Sequence, residues 1–214
     1  MLYLDDLTFQ YKFSSPKLLN NLTRKINKGE IVAVNGDSAA GKTTLLNIIC
    51  GVIPKFVQGN LSGEVFFNDI PISSLSLAET APYISLLMQH PDNQLFFPTV
   101  EQELAFGPEN LNIQPNEILK RIYNTLKHLN IEDLRFQETT ELSFGQKKLV
   151  VFASLLILSP QVLLLDEPFT GISQINIELM KEEIYNQAEM GKIIIVAGHE
   201  NAKIKASQTI ELKQ

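Results

Sequence analysis

The chain has 214 residues, 44% of them hydrophobic and 20% charged, which is ordinary globular composition with an adequate core, enough for one large domain or one domain with grafted subdomains. The net charge of −6 and pI near 5.1 argue against a general nucleic-acid surface, which carries a basic stripe. A single cysteine, Cys50, excludes an internal disulfide and a cysteine-based zinc site, and reads as a small apolar residue at the end of a buried helix.

The run Met1-Leu2-Tyr3-Leu4-Asp5-Asp6 lacks the basic region and apolar core of a signal peptide. Residues Tyr3 to Phe9 and the Leu19-Leu22-Ile26 segment read as short strands, and Asn27-Lys28-Gly29-Glu30 as a turn. Ile31 to Val34 is a continuous apolar run, the mark of a strand buried on both faces. A helix is predicted from Lys42 to about Cys50, stopped by Gly51 and Pro54. A β-rich stretch follows, Leu61 to Asn68, and then Tyr83 to Met88. From about Val100 to Leu158 the chain reads as helical, with Ile118, Ile122, Leu126 and Leu129 at helical spacing and Pro160 closing the region. The most apolar stretch, Leu149 to Leu158, is half of the roughly 20 residues that span a bilayer. Val162 to Leu165 and Ile193 to Val196 are two more buried strands, with a helix from Gln174 to Met190 between them, ended by Gly191. Buried strands alternating with helices predict a parallel sheet covered on both faces, with ligands beyond the carboxyl ends of the strands. Gly36, Gln89, Asp166 with Glu167, and His199 each follow such a strand.

Gly36-Asp37-Ser38-Ala39-Ala40-Gly41-Lys42-Thr43 matches G-x-x-x-x-G-K-S/T between a strand and a helix. Backbone N–H groups from Asp37 to Lys42 would turn inward around phosphates, aided by the positive end of the helix. Lys42 would reach the β- and γ-phosphates, and the Thr43 hydroxyl would ligate Mg²⁺. Val162-Leu163-Leu164-Leu165-Asp166-Glu167-Pro168 is an apolar strand ending in two carboxylates, Asp166 placed to hold Mg²⁺ through water and Glu167 to polarise the attacking water. Ser143, in Leu142-Ser143-Phe144-Gly145-Gln146, is a good N-cap for the helical stretch from Lys147 to Leu158. His90 and His128 read as surface residues. Phe96-Phe97-Pro98 fits a partner contact and core packing equally well.

Taken in order, the phosphate loop, Gln89, Leu142 to Gln146, Leu163 to Pro168 and His199 resemble the ATP-binding subunit of an ABC transporter over essentially the whole chain. Met88 to Phe96 and Thr99 to Pro108 are similar to the ATPases of energy-coupling factor importers, which take up vitamins and cobalt or nickel ions. The resemblance implies an α/β fold: a P-loop NTPase (ABC ATPase) core with a parallel sheet, an N-terminal antiparallel β subdomain and an inserted helical subdomain. Residues 1–214 would be a single ATP-binding domain, with about 1–88 and 160–214 as the core and about 90–158 as the helical part. It implies that Tyr11 stacks on adenine and that Gly36 to Thr44, Thr44 included, bind ATP. Gln89 would contact Mg²⁺ or the attacking water and sense the transmembrane partner, and His199 would bond the γ-phosphate and orient Glu167. Leu142, Ser143, Phe144, Gly145 and Gln146 would complete the ATP site of a second ATP-binding subunit. The segment from Pro91 to Pro108 would line the groove for a helix of the membrane subunit. No nucleic-acid partner is implied, and the chain would be cytoplasmic, peripheral on the inner face of the membrane.

Three positions depart from the family pattern. Ala39 replaces a glycine, tolerable if the residue needs no positive φ. Phe144 replaces the first glycine of the signature, leaving Ser143 and Gly145 in place. Ser173, in Phe169-Thr170-Gly171-Ile172-Ser173, replaces an aspartate that helps couple two ATP sites. These departures favour a heterodimer whose other ATPase supplies the aspartate. The sequence also stops soon after His199, where such ATPases often carry a further dimerising segment, so dimerisation is expected to lean on ATP itself. Two alternatives stand beside this reading. A non-transport ABC ATPase would bring coiled coils, zinc-binding cysteines or a second cassette. A P-loop small-molecule kinase would have no use for Leu142 to Gln146.

Overall fold

The computed structural model describes residues 1–11, 16–198 and 204–212. It divides into two units, one of residues 1–86, 161–167 and 187–214, the other of residues 87–160 and 168–186.

The first unit holds two sheets. One is antiparallel, ordered β2 (Leu19–Ile26), β1 (Leu2–Gln10), β4 (Asn60–Phe67), β5 (Ile70–Pro71). In β1 the residues Leu2, Leu4, Leu7 and Phe9 are all buried, although simple alternation would put Leu4 and Leu7 on opposite faces. A bulge resolves this: the register shifts between Leu4 and Leu7 on one side and between Asp5 and Thr8 on the other, with Asp6 at φ 49°.

The second sheet is ordered β6 (Ile84–Leu87), β7 (Val162–Asp166), β8 (Ile193–Ala197), β3 (Ile31–Asn35), β9 (Gln208–Glu211). Strands β7, β8, β3 and β9 pair in parallel, so their carboxyl ends share one edge. Every residue of β7 and β8 is buried, as their unbroken apolar runs require. Helix α1 (Lys42–Ile49) follows β3, and Leu45, Leu46, Ile48 and Ile49 join Leu4, Phe9, Val34, Leu164 and Ile195 in a single core. The short helix α2 (Leu77–Thr80), opened by a Ser76–Glu79 capping box, lies outside the sequence expectations.

The second unit is helical. The long predicted helical region is broken into α3 (Val100–Asn110), α4 (Pro115–His128) and α5 (Phe144–Ile157), separated by turns. Pro115 in the first turn of α4 explains one break, since proline suits a helix start and not its middle. Ile118, Ile122, Leu126 and Leu129 are all buried. Helix α6 (Gln174–Glu189) begins in this unit and ends in the first. Among the described residues no helix is long and apolar enough to cross a membrane.

Candidate functional site

The phosphate loop joins β3 to α1. At Gly36 φ is +153°, and a Cβ there would stand 2.7 Å from the Leu212 carbonyl oxygen and 2.9 Å from the Ala40 Cβ. The loop therefore turns where only glycine fits. Asp37, Ser38 and Ala39 are exposed at its tip, and the Ala40 N–H closes it onto the Asp37 carbonyl at 3.1 Å. Ala39 sits at φ 64°, so the condition set for tolerating alanine is not met. The position does take a left-handed backbone, and the alanine carries strain there.

Lys42 is 7% exposed, and its Nζ donates to the carbonyls of Gly36 at 2.6 Å and Asp37 at 2.9 Å. Among the described residues no carboxylate forms an ion pair with it. A buried ammonium held only by neutral carbonyls keeps its charge available for an anion. One residue on, the Thr43 hydroxyl donates to Asp166 Oδ2 at 2.6 Å. Asp166, the last residue of β7, is 3% exposed. The loop and the acidic strand end are thus brought together, with a hydroxyl and a carboxylate oxygen side by side.

Glu167 follows at φ 47°, a left-handed backbone that costs a non-glycine residue about 1 kcal/mol or more. Its N–H donates to the Ala197 carbonyl at 2.8 Å, which holds the turn beyond the edge of β7 and β8. Tyr11 lies edge-on to Phe9, with ring centres 4.9 Å apart, and its hydroxyl shares a hydrogen bond with Thr44 Oγ1 at 3.0 Å. The ring predicted to meet adenine is therefore tied to the helix that carries the phosphate loop. His199 lies outside the described residues.

In the helical unit Gln89 and His90 are exposed, as is His128 on α4. Ser143 caps α5 through a full capping box: its Oγ accepts from the Gln146 N–H at 3.3 Å, and Gln146 Oε1 accepts from the Ser143 N–H at 2.9 Å. Leu142 is buried, while Phe144 lies partly exposed on the first turn. The Phe96-Phe97 pair divides its duties: Phe96 is 76% exposed, and Phe97 packs on Phe106 with ring centres 4.8 Å apart. Sequence reasoning missed Glu103, a buried carboxylate on α3 whose Oε2 accepts the N–H groups of both Phe96 at 2.8 Å and Phe97 at 3.0 Å. It fixes the loop that displays Phe96. The Thr99–Gln102 capping box marked the helix start, but nothing in the sequence marked Glu103 as inward-facing.

A nucleotide-phosphate loop on an α/β core, with a capped helix at Leu142 to Gln146, defines a P-loop nucleotide-binding class. Comparison narrows it. A family model described as ABC transporter matches residues 19–170. The energy-coupling factor transporter ATP-binding protein EcfA2 of Clostridium perfringens is 36% identical over 203 residues, covering 94% of this chain and 69% of the relative. The solved structure of cbiO1 from Clostridium perfringens, part of the ABC transporter complex cbiONQ, superposes with a TM-score of 0.84 at 32% identity, covering 99% of this chain and 84% of that one. A dimeric ATP-binding cassette in a post-hydrolysis state, bound to ADP and Pi, gives 0.82 at 26% identity, covering 100% and 94%. The chain belongs to the ABC transporter family of ATP-binding proteins, in its energy-coupling factor group. It is accordingly an ATP-binding protein and an ATPase, on the α/β fold that the sequence led us to expect.

Proposed function

We propose that this chain is the ATP-hydrolysing subunit of an energy-coupling factor type importer, peripheral on the inner face of the membrane, powering uptake of a vitamin or a transition-metal ion. Its 1–214 span acts as one ATP-binding domain, with about 90–158 as the helical part. The observation that carries the reading is buried Lys42, which has no carboxylate partner among the described residues, next to the Thr43–Asp166 pair.

Lys42 and the backbone N–H groups of the loop bind the phosphates, Tyr11 receives adenine, and Thr44 assists at the loop's helical end. Thr43 and Asp166 offer the hard oxygen donors that would hold Mg²⁺, and Gln89 would be a further ligand. When bound, Mg²⁺ neutralises charge developing on the transferred phosphoryl oxygens. Glu167 takes a proton from the attacking water, and His199 orients Glu167. Ser143, Gly145 and the α5 N-terminus face the nucleotide of a second ATP-binding subunit, and we favour an unequal partner because Ser173 lacks the carboxylate of the family pattern. ATP closes the pair and hydrolysis reopens it.

The membrane subunit docks beside Phe96. A groove of about 760 Å³ in the helical unit, lined by Phe97, by Glu101 and Ala105 from α3 and by Ile118, Leu119 and Ile122 from α4, supports this placement. The reading is tested by purifying the tagged chain from its own membranes. A second ATP-binding chain and a polytopic membrane chain are expected to co-purify. If neither does, and membranes leave ATP turnover unchanged, the transport assignment fails.

A further inference from the structure

Phe144 opens α5, and Lys148 stands one turn later, so the two side chains share one helix face. Lys148 is 0% exposed. Its Nζ donates to the Thr170 carbonyl at 2.9 Å and lies 5.1 Å from the centre of the Phe144 ring. An ammonium buried this deeply is costly unless matched, and here a carbonyl dipole and an aromatic face both present it with negative charge.

The ring also meets Gly171. Its φ is +77°, and a Cβ there would stand 2.6 Å from Cε1 and 2.8 Å from Cδ1 of Phe144. Glycine is required at 171 both by backbone conformation and by the phenyl ring. A Cβ on Gly145 would lie 3.5 Å from the Gly171 carbonyl oxygen and from Ile172 Cγ2, so the first turn of α5 rests on residues 171 and 172. Ser173 ends that run by capping α6: its Oγ accepts from the Asn176 N–H at 3.3 Å and its carbonyl from the Ile177 N–H at 2.9 Å.

We propose that Phe144 and Lys148 are positioning residues that clamp the Ser143–Gly145 turn onto residues 170–172, so that engagement of a partner's nucleotide is transmitted to the chain's own hydrolytic site. Thr170 stands three residues after Glu167 along the chain. A phosphate drawing on the Ser143 turn would therefore pull on the chain three residues after Glu167. The clamp supplies, through an aromatic ring and a buried lysine, a coupling for which Ser173 has no carboxylate. The proposal rests on the functional reading above, since it takes Ser143 to meet a second subunit's ATP.

The test compares ATP turnover and amide hydrogen exchange in the full chain, assembled with its ATP-binding partner, for wild type, Lys148→Met and Lys148→Arg. Methionine keeps a flexible stem and removes the cation. Arginine keeps a cation able to donate to Thr170 and to stack on the ring. Lys148→Met is expected to lower kcat about tenfold or more while KM for ATP stays within about twofold, because the phosphate loop is untouched. Exchange across 169–173 should quicken while that of the phosphate loop does not, and Lys148→Arg should recover most of kcat. Phe144→Leu, which removes the ring but keeps apolar bulk, should give the pattern of Lys148→Met by an independent route. Unchanged kcat in both Lys148→Met and Phe144→Leu overturns the proposal, as does a loss shared by Lys148→Arg with exchange quickened throughout α5. If wild type releases no phosphate, the ATPase reading has failed instead, and the exchange data decide the clamp: unchanged protection of 169–173 in Lys148→Met overturns it.

Discussion

Replacing Ala39 by glycine should stabilise the protein, against the usual direction of such a change. Ala39 holds φ 64° at the exposed tip of the phosphate loop. A left-handed backbone costs an L-residue about 1–2 kcal/mol, which glycine does not bear. Glycine's greater freedom in the unfolded chain takes back about 0.4–1 kcal/mol. The methyl is exposed, so no burial is lost, and the net gain centres on about 0.8 kcal/mol, or about 2–3 °C in Tm for a chain of this size. Ala40, next in the sequence, is the internal control. It is 2% exposed and lacks a positive φ, so Ala40→Gly should lose about 1–2 kcal/mol through backbone entropy and a buried methyl. Urea unfolding of both variants at a shared m-value reads the two signs directly. Destabilisation of Ala39→Gly by 1 kcal/mol would refute the strained conformation assigned to the loop.

Other substitutions probe the remaining parts. Thr43→Val removes the 2.6 Å bond to Asp166, and should raise the Mg²⁺ concentration for half-maximal turnover by about tenfold, equivalent to about 1.4 kcal/mol, in a metal titration. Ser143→Ala should cost about 1 kcal/mol of stability through loss of the α5 cap, with turnover falling by more than the unfolded fraction accounts for. Glu103→Ala deprives the Phe96 and Phe97 N–H groups of a carboxylate and should cost about 3 kcal/mol by denaturation, whereas Glu103→Gln keeps an acceptor and should lose less.

Much of this protein is legible from sequence where the signal is local. The strands β3, β7 and β8 show as unbroken apolar runs because both their faces are buried. The phosphate loop and the Asp166–Glu167 pair are short motifs at strand ends, and the parallel pairing of β3, β7 and β8 puts those ends on one edge. What stayed hidden depends on distant partners. Strand β9 is four residues long and forms only by pairing with β3. As a letter Ala39 gives no sign of its left-handed backbone, and only the glycine of the family pattern raised the question. Lys147 and Lys148 are indistinguishable as letters, yet one forms an ion pair with exposed Asp92 and the other is fully buried.

In the proposed reaction, phosphate bound at Lys42 is released by water that Glu167 activates. Phosphate release from Mg-ATP should therefore be measured for wild type and for Glu167→Gln, alongside nucleotide binding by both. Wild type is expected to turn over, and Glu167→Gln to lose about a hundredfold or more in kcat while binding ATP as tightly. Equal phosphate release by the two proteins, or none by wild type with its partner chains present, would rule out hydrolysis through Glu167.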